Sequence, residues 1–163
     1  MQAAQTTLSQ LAVTTWYADW AWGLPLITLT MVIHAAGLLF ISQSVDRLQG
    51  GIVKRCGYRL MFIVITGATA IGTAALHGLE GAIWALAYLF VGAVPNYRLA
   101  LLYSLGAMTT YGHAGLLLEA PWQFMGALEA LNGMLLFGLT TAFLFDIIQK
   151  IRSSEARDTA IRD

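Results

Sequence analysis

Seven consecutive residues, Thr109-Thr110-Tyr111-Gly112-His113-Ala114-Gly115, bring two hydroxyls, a phenol, an imidazole and two glycines together between long apolar runs of this 163-residue chain. Two hydroxyls run into a glycine-interrupted backbone. Hydroxyls and backbone carbonyls are the ligands that replace the water shell of a partly dehydrated cation. His113 adds an imidazole beside them. Glu129 and Asn132 fall on one face of a later helix, His77 and Glu80 stand at i, i+3 and can pair, and His34 is a further polar residue within an apolar run. The three histidines lie on different segments without i, i+4 ligand spacing, so neither a metal nor a haem is expected. No nucleophile–base pair or phosphate loop stands out, so no enzyme is expected.

Composition says what must position these groups. The chain is 58% hydrophobic and 11% charged, with mean hydropathy +0.67. A soluble domain carries about 25% charged residues. The deficit comes from long apolar runs, which predict an all-α integral membrane protein in contact with a lipid bilayer. No basic patch with interleaved aromatics points to nucleic acid. Cys56 is the single cysteine, so no intrachain disulfide can form.

Residues 1–20 lack Lys and Arg and any evident cleavage site, and are expected to be retained as an extracytoplasmic segment. Trp16, Tyr17, Trp20 and Trp22 suit an interfacial belt or packing against the protein. Residues 21–45 carry no Asp, Glu, Lys or Arg and predict a first transmembrane helix, with Pro25 near its start. Residues 46–58 read as a basic cytoplasmic loop turning at Gly50-Gly51. An outer helix is predicted over 59–94, long enough to require a tilt, a kink near Gly78/Gly81, or projection beyond the bilayer. Pro95 ends it, and Asn96 can cap a short helix over 97–109. Pro121 suits the first turn of an inner helix over 121–150, and 151–163 form a charged tail.

Of nine Lys and Arg, eight lie in the 46–59 stretch or near the C-terminus. Both regions should be cytoplasmic, which puts the N-terminus outside and gives three crossings. The short helix and the 109–115 loop then enter and leave from the outer face. Non-helical backbone at that depth needs protein or water around it. One loop cannot enclose a water path, whereas several copies around an axis can. The helix would aim its partially negative end inward, favouring a cation.

The core Thr109-Thr110-Tyr111-Gly112 resembles the filter of tetrameric pore-loop cation channels, whose familiar form reads Thr-Thr-Val-Gly-Tyr-Gly-Asp. The run Gly133-Met134-Leu135-Leu136-Phe137-Gly138-Leu139-Thr140-Thr141-Ala142 is similar to the inner helix of two-helix potassium channels. Ala82 to Leu89 and Tyr103-Ser104-Leu105 are similar to bacterial members. The resemblance covers roughly 59–150. The first helix has no counterpart there, so the expected fold is three transmembrane helices plus a re-entrant pore helix and filter loop, and the resemblance implies a homotetramer around a central pore in the bacterial inner membrane. The implied function is passage of monovalent cations, K⁺ or Na⁺, with no other cofactor. Tyr111 stands where Val or Leu is usual, His113 for Tyr, Ala114 for the second Gly, and Gly115 for Asp. These departures imply altered potassium selectivity.

The resemblance makes Gly133 and Gly138 gating hinges, and places Met134, Phe137, Thr141 and Phe145 along the cavity. Phe145 could equally be helix–helix packing. Glu129, with Asn132, braces the loop or faces the cavity, and bracing is favoured. His113 either opposes cation entry when protonated or hydrogen-bonds behind the filter. Asp146 draws cations to the inner mouth or pairs with Lys150. Two alternatives compete with a conducting channel: a non-conducting relative of the same fold, and a histidine-ligated redox or transport protein.

Overall fold

The computed structural model describes residues 2–112 and 115–160, with side chains described for 16–47, 57–112 and 115–155. Its elements are α1 (Gln2–Phe90), α2 (Tyr97–Met108), a 3₁₀ turn (Ala120–Trp122) and α3 (Gln123–Ala160). No strand occurs among the described residues. Three stretches are long and apolar enough to cross a membrane: Trp16–Arg47, Gly57–Phe90 and Ala120–Glu155. These are called the first, second and third spans below.

The two early spans differ from their sequence outlines at the turns. Helix continues through Gly50-Gly51, where a turn was expected, and the one non-helical residue inside α1 is Gly57 (φ 76°, ψ 169°). That backbone region is open essentially to glycine alone. Pro25 lies well inside α1 rather than near its start. It removes a donor from the helix ladder, leaving the Ala21 carbonyl without its usual partner. The second span ends at Phe90, earlier than the predicted residue 94. Gly92, at φ 72°, is the reason. Its N–H donates to the Leu89 carbonyl at 3.2 Å and the Ala93 N–H donates to Tyr88 at 2.8 Å. This pair of bonds around a left-handed glycine closes a helix end.

Helix α2 starts where its sequence predicts. Asn96 Oδ1 accepts from the Leu99 N–H at 3.0 Å, satisfying one orphan donor of the first turn. Pro121 sits in the 3₁₀ turn, whose Trp122 N–H donates to Glu119 at 2.8 Å before α3 begins.

The chain forms two compact units. One comprises Met1–Ile33 and Gly78–Leu135. Its buried side chains include Trp84, Tyr88, Ala100, Tyr103, Met108, Met125 and Leu128. The Glu119 N–H donates to the Ala93 carbonyl at 3.2 Å, tying the segments on either side of α2 together. The other unit comprises His34–His77 and Leu136–Asp163, around Val45, Met61, Ile65, Ile147 and Ile151.

Candidate functional site

The first unit is built to seat α2. A Cβ on Gly81 would stand 3.0 Å from Leu105 Cδ2, one on Gly126 would stand 2.0 Å from Tyr103 Oη, and one on Gly133 would stand 2.5 Å from both Cα and O of Met108. Glycines of α1 and α3 therefore let α2 approach at backbone distance. Ser104, in the middle of α2, is fully buried and donates to the Gly81 carbonyl at 2.8 Å.

Ser104 Oγ also contacts Glu129 Oε1, while Tyr88 Oη donates to Glu129 Oε2 at 2.7 Å. Glu129 thus lies between a hydroxyl of α1 and a hydroxyl of α2, wholly buried. Tyr103 packs edge-on against Tyr88, ring centroids 5.4 Å apart. A buried carboxyl is costly unless its oxygens are hydrogen-bonded. Here both oxygens are engaged, so the group locks α2 to both neighbours. Asn132 points elsewhere: its Nδ2 donates to Thr30 Oγ1 at 2.8 Å, binding α3 to the first span.

Beyond Met108 the chain leaves the helix. The Thr109 N–H donates to Leu105 at 3.1 Å and the Gly112 N–H reaches the Gly106 carbonyl at 3.3 Å. Thr109 Oγ1 turns back to donate to Leu105 O at 2.6 Å. Thr110 has φ 59°, Gly112 φ 85° and Gly115 φ 80°. Left-handed backbone is unusual for a β-branched residue and clusters at functional sites. Thr109, Thr110, Tyr111, Gly112 and Gly115 are all exposed, Tyr111 to 85%. His113 and Ala114 lie outside the described residues.

The α3 stripe is also exposed: Met134, Phe137, Thr141 and Phe145, with Phe137 at 67%. The two glycines predicted as hinges differ. Gly133 is pressed against Met108, whereas nothing approaches a Cβ built on Gly138.

In the second unit, Thr140 Oγ1 lies 3.0 Å from His34 Nε2 and 3.0 Å from His77 Nε2. The two rings are 5.1 Å apart. A single hydroxyl can donate to one ring and accept from the other. The arrangement ties three helix segments together, and Thr140 was not singled out by its sequence. Glu80, three residues beyond His77, is fully buried. Lys150 pairs with Asp46 at 2.5 Å, rather than with Asp146 as its i, i+4 spacing allowed.

What the first span touches was only partly legible: packing of its tryptophans against the protein was one of two expectations, and its other partners were not foreseen. In the first unit, Asp19 is buried beside the Met125 backbone near the start of α3. A Cβ on Gly23 would stand 2.5 Å from Leu128 Cδ1, and Thr30 meets Asn132. Trp16 and Trp20 pack on Phe124, at 4.5 and 5.6 Å between centroids. Asp19, Gly23 and Thr30 recur at helical spacing, so one face of the first span follows α3. The signal was present in that spacing but hidden by the absence of any polar contrast around the helix. No family model matches the chain, and no curated protein or solved structure matches it either.

Proposed function

We propose that this chain is one subunit of a homotetrameric, potassium-channel-like cation channel in the bacterial inner membrane. In this reading α2 is a re-entrant pore helix, Thr109–Gly115 is the filter, and Met134, Phe137, Thr141 and Phe145 line the cavity. The N-terminus lies outside and the C-terminus in the cytoplasm, following the basic residues.

One observation carries the proposal. A 12-residue helix, about 18 Å long, lies between two membrane-length spans and ends in an exposed, non-helical segment. Lipid cannot satisfy such backbone, so at membrane depth it requires water or protein on its open side. Three sister subunits around an axis supply both. The altered residues of the filter, Tyr111, His113, Ala114 and Gly115, favour weak discrimination between K⁺ and Na⁺.

The test is liposome flux with K⁺, Na⁺ and a large organic cation, alongside native mass measurement of the detergent-solubilised protein. A tetramer passing both small cations and excluding the large one is expected. A monomer or dimer overturns the assembly, and a tetramer silent to all three ions overturns conduction while leaving the fold.

A further inference from the structure

Gly57 redirects the chain so that Tyr58 and Arg59 begin the second span. Tyr58 Oη donates to the Ser154 carbonyl at 3.3 Å, pinning this foot to the far end of α3. Met61, Ile65, Ile147 and Ile151 close the core behind it. On the outer side the two helices leave a cleft of about 280 Å³, lined by Tyr58, Arg59, Phe62, Ile63, Arg152 and Glu155.

The lining is divided by chemistry. Two guanidiniums, one from each helix, stand on the rim, and exposed Phe62 and Ile63 form the wall along the second span. Lys150, close by in sequence, is occupied by Asp46, while neither Arg59 nor Arg152 has an ion-pair partner among the described residues. Glu155 contributes one carboxylate to the same rim, against two cations. The cleft lies where the second span begins and the third ends, so it sits at the end of two membrane-length helices rather than along their middle. Guanidinium forks match phosphate oxygens in pairs. A free phosphate would make no use of Phe62 or Ile63. A phosphodiester attached to an acyl chain uses the whole lining.

We propose that this cleft binds the headgroup of an anionic phospholipid, with Arg59 and Arg152 on the phosphate and Phe62 and Ile63 along the upper acyl chain. An occupant would bridge the foot of the second span to the end of α3. The inference stands independently of whether the protein conducts ions.

The experiment measures lipid binding to the full-length protein in detergent, by native mass spectrometry. The probes are dioleoyl phosphatidylglycerol, dioleoyl phosphatidylcholine and soluble glycerol phosphate. The expected preference for phosphatidylglycerol over phosphatidylcholine is about thirtyfold, from two guanidiniums acting on one anionic lipid. The R59Q/R152Q variant should lose this preference and R59K/R152K should keep most of it, because charge rather than fold is being read. Should the double Gln variant melt early, the single R59Q and R152Q variants carry the test, each losing about five- to sixfold. Equal binding of the two lipids, or a preference surviving R59Q/R152Q, overturns the proposal. Displacement of the lipid by glycerol phosphate assigns the cleft to a free anion and also overturns it.

Discussion

Replacing Gly133 by alanine adds one carbon where the structure has no room for it. That carbon would lie 2.5 Å from the Cα and carbonyl oxygen of Met108 and 2.9 Å from its carbonyl carbon. Carbon atoms in contact prefer about 3.5–4.0 Å, so the helices must separate by roughly 1 Å. The neighbour is backbone and cannot rotate aside. Overpacking of this kind costs about 1–3 kcal/mol. Alanine recovers about 1 kcal/mol of helix propensity, leaving a net loss of up to about 2 kcal/mol. For a chain of this length that lowers Tm by up to about 8 °C. Gly138→Ala is the internal control. Nothing lies within 4 Å of its added carbon, so only the propensity term acts, and Tm should rise by about 2–4 °C. Met108 immediately precedes Thr109, so Gly133→Ala should also displace the exposed loop and alter flux in liposomes, whereas Gly138→Ala should leave the loop in place. The assay is paired thermal melting of both variants in the same detergent. A Gly133→Ala protein melting as high as Gly138→Ala refutes the tight contact.

Other variants read the remaining contacts. Glu129→Ala strips Tyr88 of its acceptor and leaves a void, at a cost of about 3–4 kcal/mol, while Glu129→Gln keeps an acceptor for Tyr88 and costs within about 1 kcal/mol. Equal melting of the two variants would show that the carboxyl does not hold α2. Asp19 lies beside the Met125 backbone at the open start of α3, so Asp19→Ala should cost about 0.5–2 kcal/mol with faster hydrogen exchange at the Met125 amide, and unchanged exchange there would show that the carboxylate does not cap α3. Thr110→Gly relieves a left-handed threonine and should stabilise by up to about 1 kcal/mol; a Thr110→Val protein as stable as Thr110→Gly would contradict the φ of 59°.

What could be read from the sequence was one-dimensional. Uncharged runs marked the three spans, and Asn96 marked the start of α2, because length and capping depend on local residues. The ends were harder. Pro95-Asn96 looked like the stop of the second span, yet Gly92 closes it first, since a left-handed glycine satisfies the last carbonyls without help from proline. Gly50-Gly51 looked like a turn, but two glycines do not force one, and the chain breaks helix at Gly57 instead. Pairing was harder still. Glu129 and Asn132 share a face, yet one reaches Ser104 and Tyr88 and the other reaches Thr30. Which neighbour each meets depends on the rotation of whole helices. A helix apolar all round has no stripe from which rotation can be inferred.

The polar residues inside the spans are better understood as fastenings than as reactive groups. Apolar helices in lipid gain little by burying apolar surface against each other, so association rests on close backbone approach and on hydrogen bonds. Both devices recur here. Glycines admit Leu128, Leu76, Tyr103 and Met108 at distances a side chain would forbid. Hydrogen bonds join Tyr88 and Ser104 to Glu129, Asn132 to Thr30, and both His34 and His77 to Thr140. These contacts engage Glu129, Asn132, His34 and His77, four of the polar residues that the sequence places inside the spans. The exposed segment Thr109–Gly112 and the stripe from Met134 to Phe145 make no such closures. Non-helical backbone left open on one side is what the proposed channel reading would use, so ion binding and self-association are to be tested at Thr109–Gly112 first.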